Sequence, residues 1–382
     1  MKNLLQLSAL SAALLFAVGG AQAAATIINP DGTVALGIKD TGALNTTVGS
    51  VAINAGGYTG LAYKFPDGSF RDATAPGCLC EGWGVSADMA GTDYSGYDGT
   101  DNGSANLTAG AFGSTATTAT TTASLTSLPG LTVTHAYAPA DNASDVLFKS
   151  VVTITNTTGS DLTDVRYVRV MDWDIPPTEF SEYVTIAGTA TTTLLERSHD
   201  DGFDTPNPLA ATSAILAGTT DVDFTDSGPA DHGAYFLFNF GTLLGVDDPT
   251  TDEDETSYTF TIFYGAAPSE RTALAAIAAE GIELYSLGQS SGTGGATDGV
   301  PATFIFGFSG VGGTPVEPMT EPMSLALVGI LGLLVFCGTS MHRWLPEALT
   351  LQALLVRRLY RPLWRRPRPL LLLTLSLLVK PT

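Results

Sequence analysis

Two runs of β-branched and aromatic residues set the strongest limit on what this chain can fold into. Residues 146–156 read VLFKSVVTITN, and residues 162–172 read LTDVRYVRVMD, with TTGSD between them. In the first run Val146, Phe148, Ser150, Val152 and Ile154 fall on one face. In the second, Val165, Tyr167, Arg169 and Met171 alternate with Arg166, Val168 and Val170. A period of two is a strand pattern, since a helix would repeat every three to four residues. With Gly159 in the short connector, the two runs are expected to pair as a hairpin. Further strands are expected at 183–186, 234–240, 258–264 and 303–308. Many short strands separated by turns predict a mainly β protein, with residues 24–309 forming a single large β-sandwich.

One packed helix should interrupt this pattern. Ser269 is a suitable N-cap and Glu270 suits the first turn. Leu274, Ile277, Ala278, Ile282 and Tyr285 trace an apolar stripe, with Gly288 just past its end. The Thr-rich stretch 114–127 is read as an exposed edge strand or a loop. Residues 289–298 are read as a flexible connector.

The ends differ from the middle. Residues 1–23 have the three parts of a secretory signal: Lys2, the apolar stretch 9–18, and the small-x-small site Ala21-Gln22-Ala23. Its apolar core is shorter than the roughly 20 residues needed to span a bilayer. A signal helix and use of the secretion translocon are therefore expected. At the other end, 310–318 (GVGGTPVEP) reads as a linker. An apolar run at 323–338 follows, with His342 and Arg343 after it. That run is short for a straight span, yet long enough for a C-terminal membrane helix with the bilayer thinned around it. The positive charge beyond it should stay cytoplasmic.

The order of body, Gly/Pro linker, Thr320-Glu321-Pro322, Leu/Gly/Ala-rich run and arginine resembles the PEP-CTERM sorting signal of Gram-negative bacteria that produce exopolysaccharide. Glu321 and Pro322 match the family's Pro-Glu-Pro tripeptide, and Thr320 departs from it. The resemblance covers 319–343 and implies an exosortase-type processing enzyme as partner. The body, through 259–289 and 303–313, is loosely similar to uncharacterised secreted proteins that carry this signal. Members usually stop a few residues after the first arginines. Here a Leu/Arg/Pro-rich tail fills 344–382, where Leu349, Leu351, Leu354, Leu355 and Leu359 suit a basic amphipathic helix on the inner leaflet. Its abrupt change of composition also fits a frameshifted reading frame.

Charge is partitioned in the same way. Residues 24–322 hold 8 basic and 37 acidic side chains, a formal −29 against −21 for the whole chain. Such a body repels nucleic acid and anionic membrane surfaces and attracts cations, Ca2+ among them. Cysteine is scarce, so no disulfide framework holds the body. Cys78-Leu79-Cys80 can close a local disulfide, remain as two thiols or bind a metal.

Neither HExxH nor a phosphate-binding Gly loop is present. Among the acidic groups, Asp172 and Asp174 stand out as a metal-binding pair, because alternate residues of a strand share a face. The groups around Asp93–Asn102, Asp221–Asp226 and 252–255 read as solvated turns. So does His199-Asp200-Asp201 with Asp204, its alternative being a metal or acid–base site. Trp83 and Trp173 read as buried core aromatics, with stacking on sugar rings as the alternative. The expected role is a secreted protein of the cell surface or of an exopolysaccharide or biofilm matrix, membrane-attached until processed and not itself an enzyme. The alternatives are a carbohydrate-binding or carbohydrate-processing sandwich, or a Ca2+-dependent adhesin, on a plain membrane anchor.

Overall fold

The computed structural model describes residues 23–211, 220–246, 255–292 and 302–317. The signal segment 1–22 with Ala21, and everything from 318 onward with Thr320, Glu321 and Pro322, lie outside the described residues. Ala23 is exposed, one residue ahead of the first strand. Among the described residues no helix is long and apolar enough to cross a membrane.

The described chain is mainly β, with three antiparallel sheets and one α-helix; strands are numbered along the chain. A four-stranded sheet has the order β1 (Ala24–Ile28), β2 (Val34–Lys39), β3 (Leu61–Lys64), β4 (Phe70–Asp72). A six-stranded sheet has the order β14 (Leu195–His199), β16 (Gly233–Asn239), β12 (Thr163–Asp172), β5 (Glu81–Met89), β6 (Thr92–Asp98), β7 (Ser104–Ala105). The nine-stranded sheet begins β15 (Phe224–Ala230), β13 (Glu182–Ala187), β18 (Leu284–Ser290), β19 (Thr303–Ser309), β17 (Ser257–Ala267). It continues β11 (Leu147–Asn156), β10 (Leu131–Pro139), β9 (Ala119–Leu125), β8 (Leu107–Ser114).

The two larger sheets face one another through aromatic side chains. Tyr167 meets Phe260 with ring centroids 5.0 Å apart, Phe238 meets Phe308 at 4.9 Å, and Phe236 meets Phe306 at 5.7 Å. Ile27, Leu36 and Ile38 of the small sheet join the same continuous core. Rings in such offset and edge-on contacts add roughly 0.5–1.5 kcal/mol per pair beyond the area they bury.

The expected hairpin between the runs at 146–156 and 162–172 does not form. β11 pairs with β10 and β17, whereas β12 pairs with β16 and β5 in the opposite sheet. The connector is an arch, because both strands bury large side chains toward the same core from opposite sides. Asn156 holds it: its side-chain amide donates to the carbonyls of Ser160, Leu243 and Leu244 at 2.8–3.1 Å. Its Oδ1 accepts from the Thr158 N–H at 3.0 Å. The period-two signal is a property of one strand and carries no information on which neighbour it takes.

The helix α1 (Glu270–Ala279) lies on the outer face of the nine-stranded sheet. Ser269 Oγ accepts from the Thr272 N–H at 3.2 Å, as an N-cap should. Ala273, Ala276 and Ile277 pack with Phe263, Leu287 and Ile305. The helix ends earlier than the apolar stripe suggested. Ile282 follows the turn at Gly281, and Tyr285 and Gly288 belong to β18. Gln289 and Ser290, expected in a connector, are buried in that strand. Residues 119–125 form an inner strand, and the edge beyond it is β8.

A candidate cation site at converging strand ends

The register that pairs Asp172 with Gly233 places the turn between β15 and β16 beside the end of β12. That turn carries Asp231 and His232. Glu182 opens β13 and pairs with Ala230 at the other side of the same turn. Asp174 lies two residues past β12, with its N–H bonded to the Ala73 carbonyl at 2.9 Å. Carboxylate oxygens of Asp172, Asp174 and Asp231 thereby come within 4.8 Å of one another. Asp172, Asp174 and Glu182 are buried, and Asp231 is half-buried.

These acids have few donors. Among the described residues, both carboxylate oxygens of Asp174 are buried without a hydrogen-bond partner, as are Asp172 Oδ1, Glu182 Oε2 and Asp231 Oδ1. Burying an ionised carboxylate costs several kcal/mol unless a counter-charge meets it. Burial, then the charges of Asp231 and Asp201, push the Asp172 carboxyl up to about 8. Burial, followed by the charges of Asp172, Glu182, Asp231 and Asp72, pushes Asp174 up to about 9. Glu182 reaches about 9, raised by burial and by Asp172 and Asp231, against a hydrogen bond from the His232 N–H. Four acids pressed together this way must hold protons or a cation.

The surrounding shell is fixed by backbone bonds. The Asp172 N–H donates to the Cys80 carbonyl at 2.8 Å, and the Trp173 N–H to the His232 carbonyl at 2.9 Å. His232 Nδ1 lies 3.0 Å from Asp200 Oδ2. The segment at 199–204 packs directly against Asp172: a Cβ on Gly202 would stand 2.4 Å from Asp172 Cα. So the His199–Asp204 group, read from the sequence as solvated, is largely buried beside the pair that the sequence singled out. His199 stacks on Tyr235 at 4.4 Å, and its Nε2 is 3.3 Å from Asp204 Oδ2.

A cleft of about 530 Å³ adjoins this cluster, lined among others by Asn54, Asp67, Arg71, Asp72 and Glu179. Gly77 connects the two. It lines the cleft, and a Cβ there would lie 3.6 Å from Asp174 Oδ1 and 2.5 Å from the Phe180 ring. With φ at +77° this position suits glycine twice over, by conformation and by space. Phe180, 52% exposed, packs its ring against Gly77.

Core burial of Trp83 and Trp173 is observed, and the sugar-stacking alternative is corrected. Trp83 and Trp173 have no exposed surface, so neither can stack on a sugar. Trp83 lies flat on Tyr167 at 5.7 Å, and its Nε1 donates to the Thr41 carbonyl at 3.1 Å. Trp173 Nε1 donates to Ser286 Oγ at 3.0 Å. Of the other acidic groups, Asp93, Asp101, Asp221 and Asp223 are exposed, as solvated turns should be, while Asp98 is buried. Asp98 binds Lys39 at 2.7 Å, Asp101 accepts from the Leu79 N–H at 2.8 Å, and Asp223 accepts from the Thr189 N–H at 2.8 Å. Residues 252–254 lie outside the described residues. Asp231 and Glu182 were missed in the sequence, where neither has a local motif.

No family model matches the chain, and no curated protein does. A solved structure, that of a galactose mutarotase related enzyme from Lactobacillus acidophilus, is similar over 78% of this chain and 93% of that one. The identity is 10% and the TM-score 0.29, which assigns no residue roles and no substrate. The expectation that the chain is not an enzyme is nevertheless withdrawn. In this chain, acids held protonated to near pH 9 stand beside a cleft, an arrangement able to give and take protons.

Proposed function

We propose that the body is a divalent-cation-dependent β-sandwich, with Ca2+ the ion that fits best. The observation that carries this reading is Asp174, whose two carboxylate oxygens are buried with no donor and face Asp172 and Asp231. Calcium takes carboxylate oxygens at about 2.3–2.6 Å, so oxygens on opposite sides of one ion stand up to about 5 Å apart. The three carboxylates fall within that span. The all-oxygen set disfavours zinc, which prefers nitrogen and sulfur. The test is thermal unfolding of the full chain after chelation and again with Ca2+ added. The melting temperature should rise with Ca2+, by an amount set by RT ln(1 + [Ca2+]/Kd), about 2.7 kcal/mol at 100 times Kd. An unchanged curve up to millimolar Ca2+ would sink the reading.

A second reading concerns the cleft. Its Asn54, Ser69, Arg71 and Glu179 side chains suit sugar hydroxyls, and Phe180 offers the exposed ring that the tryptophans lack. Carbohydrate binding or processing there predicts retention on a polysaccharide that Phe180→Ala abolishes without lowering the melting temperature. Equal retention of that variant counts against it.

Export, membrane attachment and sorting through Thr320, Glu321 and Pro322 rest on the sequence pattern. They lead to the cell surface or an exopolysaccharide matrix as the place of action. Intact mass of the protein from the outer fraction of producing cells tests this: loss of 1–23 and of the segment after about 322 supports it, and a full-length chain opposes it.

A further inference from the structure

The Cys78–Cys80 disulfide lies against the same acid cluster. Cys78 Sγ is 3.4 Å from Asp172 Oδ2, and the two sulfurs and an Asp172 oxygen all lie within 4.8 Å of one another. Cys80 is buried and Cys78 half-buried. The loop that holds them is fixed on both sides. Leu79 N–H donates to Asp101 at 2.8 Å, the Cys80 carbonyl accepts from Asp172 N–H, and the Ala73 carbonyl accepts from Asp174 N–H.

We infer that this pair, once reduced, becomes the core of a second metal site, in which Cys78, Cys80 and Asp172 take a thiophilic divalent ion such as Zn2+ or Co2+. Asp172 belongs to both groups, so the redox state of the pair selects the ion. With the disulfide closed, the sulfurs carry no charge and the Asp172, Asp174 and Asp231 group offers carboxylate oxygens, a hard site. With the disulfide open, two thiolates stand beside Asp172, and a sulfur-rich set selects a softer ion. The Cα atoms of the pair are 5.2 Å apart. Two sulfurs at about 2.3 Å from one tetrahedral ion stand roughly 3.8 Å apart, a separation that side chains on such a backbone span by small χ1 changes. Asp174, with both oxygens unpartnered and its Cα two residues from that of Asp172, is placed to supply a fourth ligand.

The chemistry balances with a dithiol or a phosphine as reductant. Two electrons pass to the S–S bond, which opens, and each sulfur takes up one proton. Metal binding then forms two metal–sulfur bonds and releases those two protons to solvent. The inference shares Asp172 with the proposed Ca2+ site but does not require Ca2+ to bind there.

The experiment uses the full chain with Cys337→Ser, so that every thiol counted belongs to the pair. The chain is reduced with a phosphine, checked for two titratable thiols and an unchanged circular dichroism spectrum, and titrated with Co2+. The expected result is one Co2+ per reduced chain with a near-ultraviolet sulfur-to-cobalt charge-transfer band, and no such band for the oxidised chain. Asp172→Asn should weaken Co2+ binding at least about tenfold while the band, which needs only the sulfurs, persists at saturation. Should Asp172→Asn not fold, Asp174→Asn serves, with a smaller loss expected. No band on a folded, reduced chain overturns the inference, as does unfolding on reduction or unaltered affinity in the Asp172→Asn chain. The Ca2+ reading is measured on the oxidised chain, so either can fail alone.

Discussion

Glu81 and Arg169 form an ion pair in which neither side chain has any exposed surface. Arg169 also donates to the Gly42 carbonyl at 3.1 Å and to the Tyr167 hydroxyl at 3.3 Å. Glu81 accepts the Leu44 N–H at 2.6 Å. His135 and Tyr137 close the group, His135 at 3.0 Å from the Tyr167 hydroxyl and Tyr137 donating to Gly42 O at 2.6 Å. This polar knot joins the loop after β2 to both larger sheets. Removing one partner leaves the other charged and buried. Arg169→Met or Glu81→Gln alone should each lower stability by about 3–5 kcal/mol. The double variant should cost less than the sum of the two, which urea unfolding of all four chains will measure.

Burial of Trp173 makes a separate prediction. Trp173→Phe removes the indole donor to Ser286 and part of the core volume. It should destabilise by roughly 1–3 kcal/mol and leave any polysaccharide retention of the folded protein unchanged. Selective loss of retention with unchanged stability would contradict the placement of this ring.

Close approach at Gly202 gives a third. A methyl group there has no room against Asp172, at 2.4 Å from its Cα and 2.7 Å from its Oδ1. Gly202→Ala should lower the melting temperature of the cation-free chain and blunt its response to Ca2+. Gly113, where a Cβ would meet nothing within 4 Å, is the control that should change neither.

The acid cluster makes stability depend on pH in a stated direction. Asp172, Asp174 and Glu182 have carboxyls near 8, 9 and 9 in the folded chain, raised from ordinary values near 4. Between about pH 4 and pH 9 the folded state therefore binds more protons than the unfolded state, so stability falls as pH rises. In chelator the melting temperature should drop from pH 5 to pH 9. Added Ca2+ should offset most of that drop at the alkaline end and little at pH 5, where protons occupy the oxygens. A Ca2+ effect that is largest at pH 5 would contradict this.

Much of this was legible in the sequence, and the reason differs by residue. The strands β11, β12, β13, β16, β17 and β19 are visible because one buried face imposes a period of two. The N-cap at Ser269 is visible because capping is local. Pairing partners are not local: β11 and β12 sit in opposite sheets although five residues separate the two runs. Asp172 and Asp174 were found because they lie two apart in the sequence, Asp172 ending β12 and Asp174 just past it. Asp231 and Glu182 join them only through the register of β13, β15 and β16, which no short stretch encodes. Trp83 and Trp173 carry the same side chain whether they face a core or a sugar, so composition could not place them.

The most direct measurement is Ca2+ binding by titration calorimetry on the oxidised, chelator-treated chain, beside its Asp174→Asn variant at pH 8. One tight Ca2+ per wild-type chain is expected, with a loss of about tenfold or more in affinity in the folded variant, since the Asp174 oxygens have no other partner among the described residues. No saturable binding to the wild-type chain, or binding that survives Asp174→Asn unchanged, would contradict it.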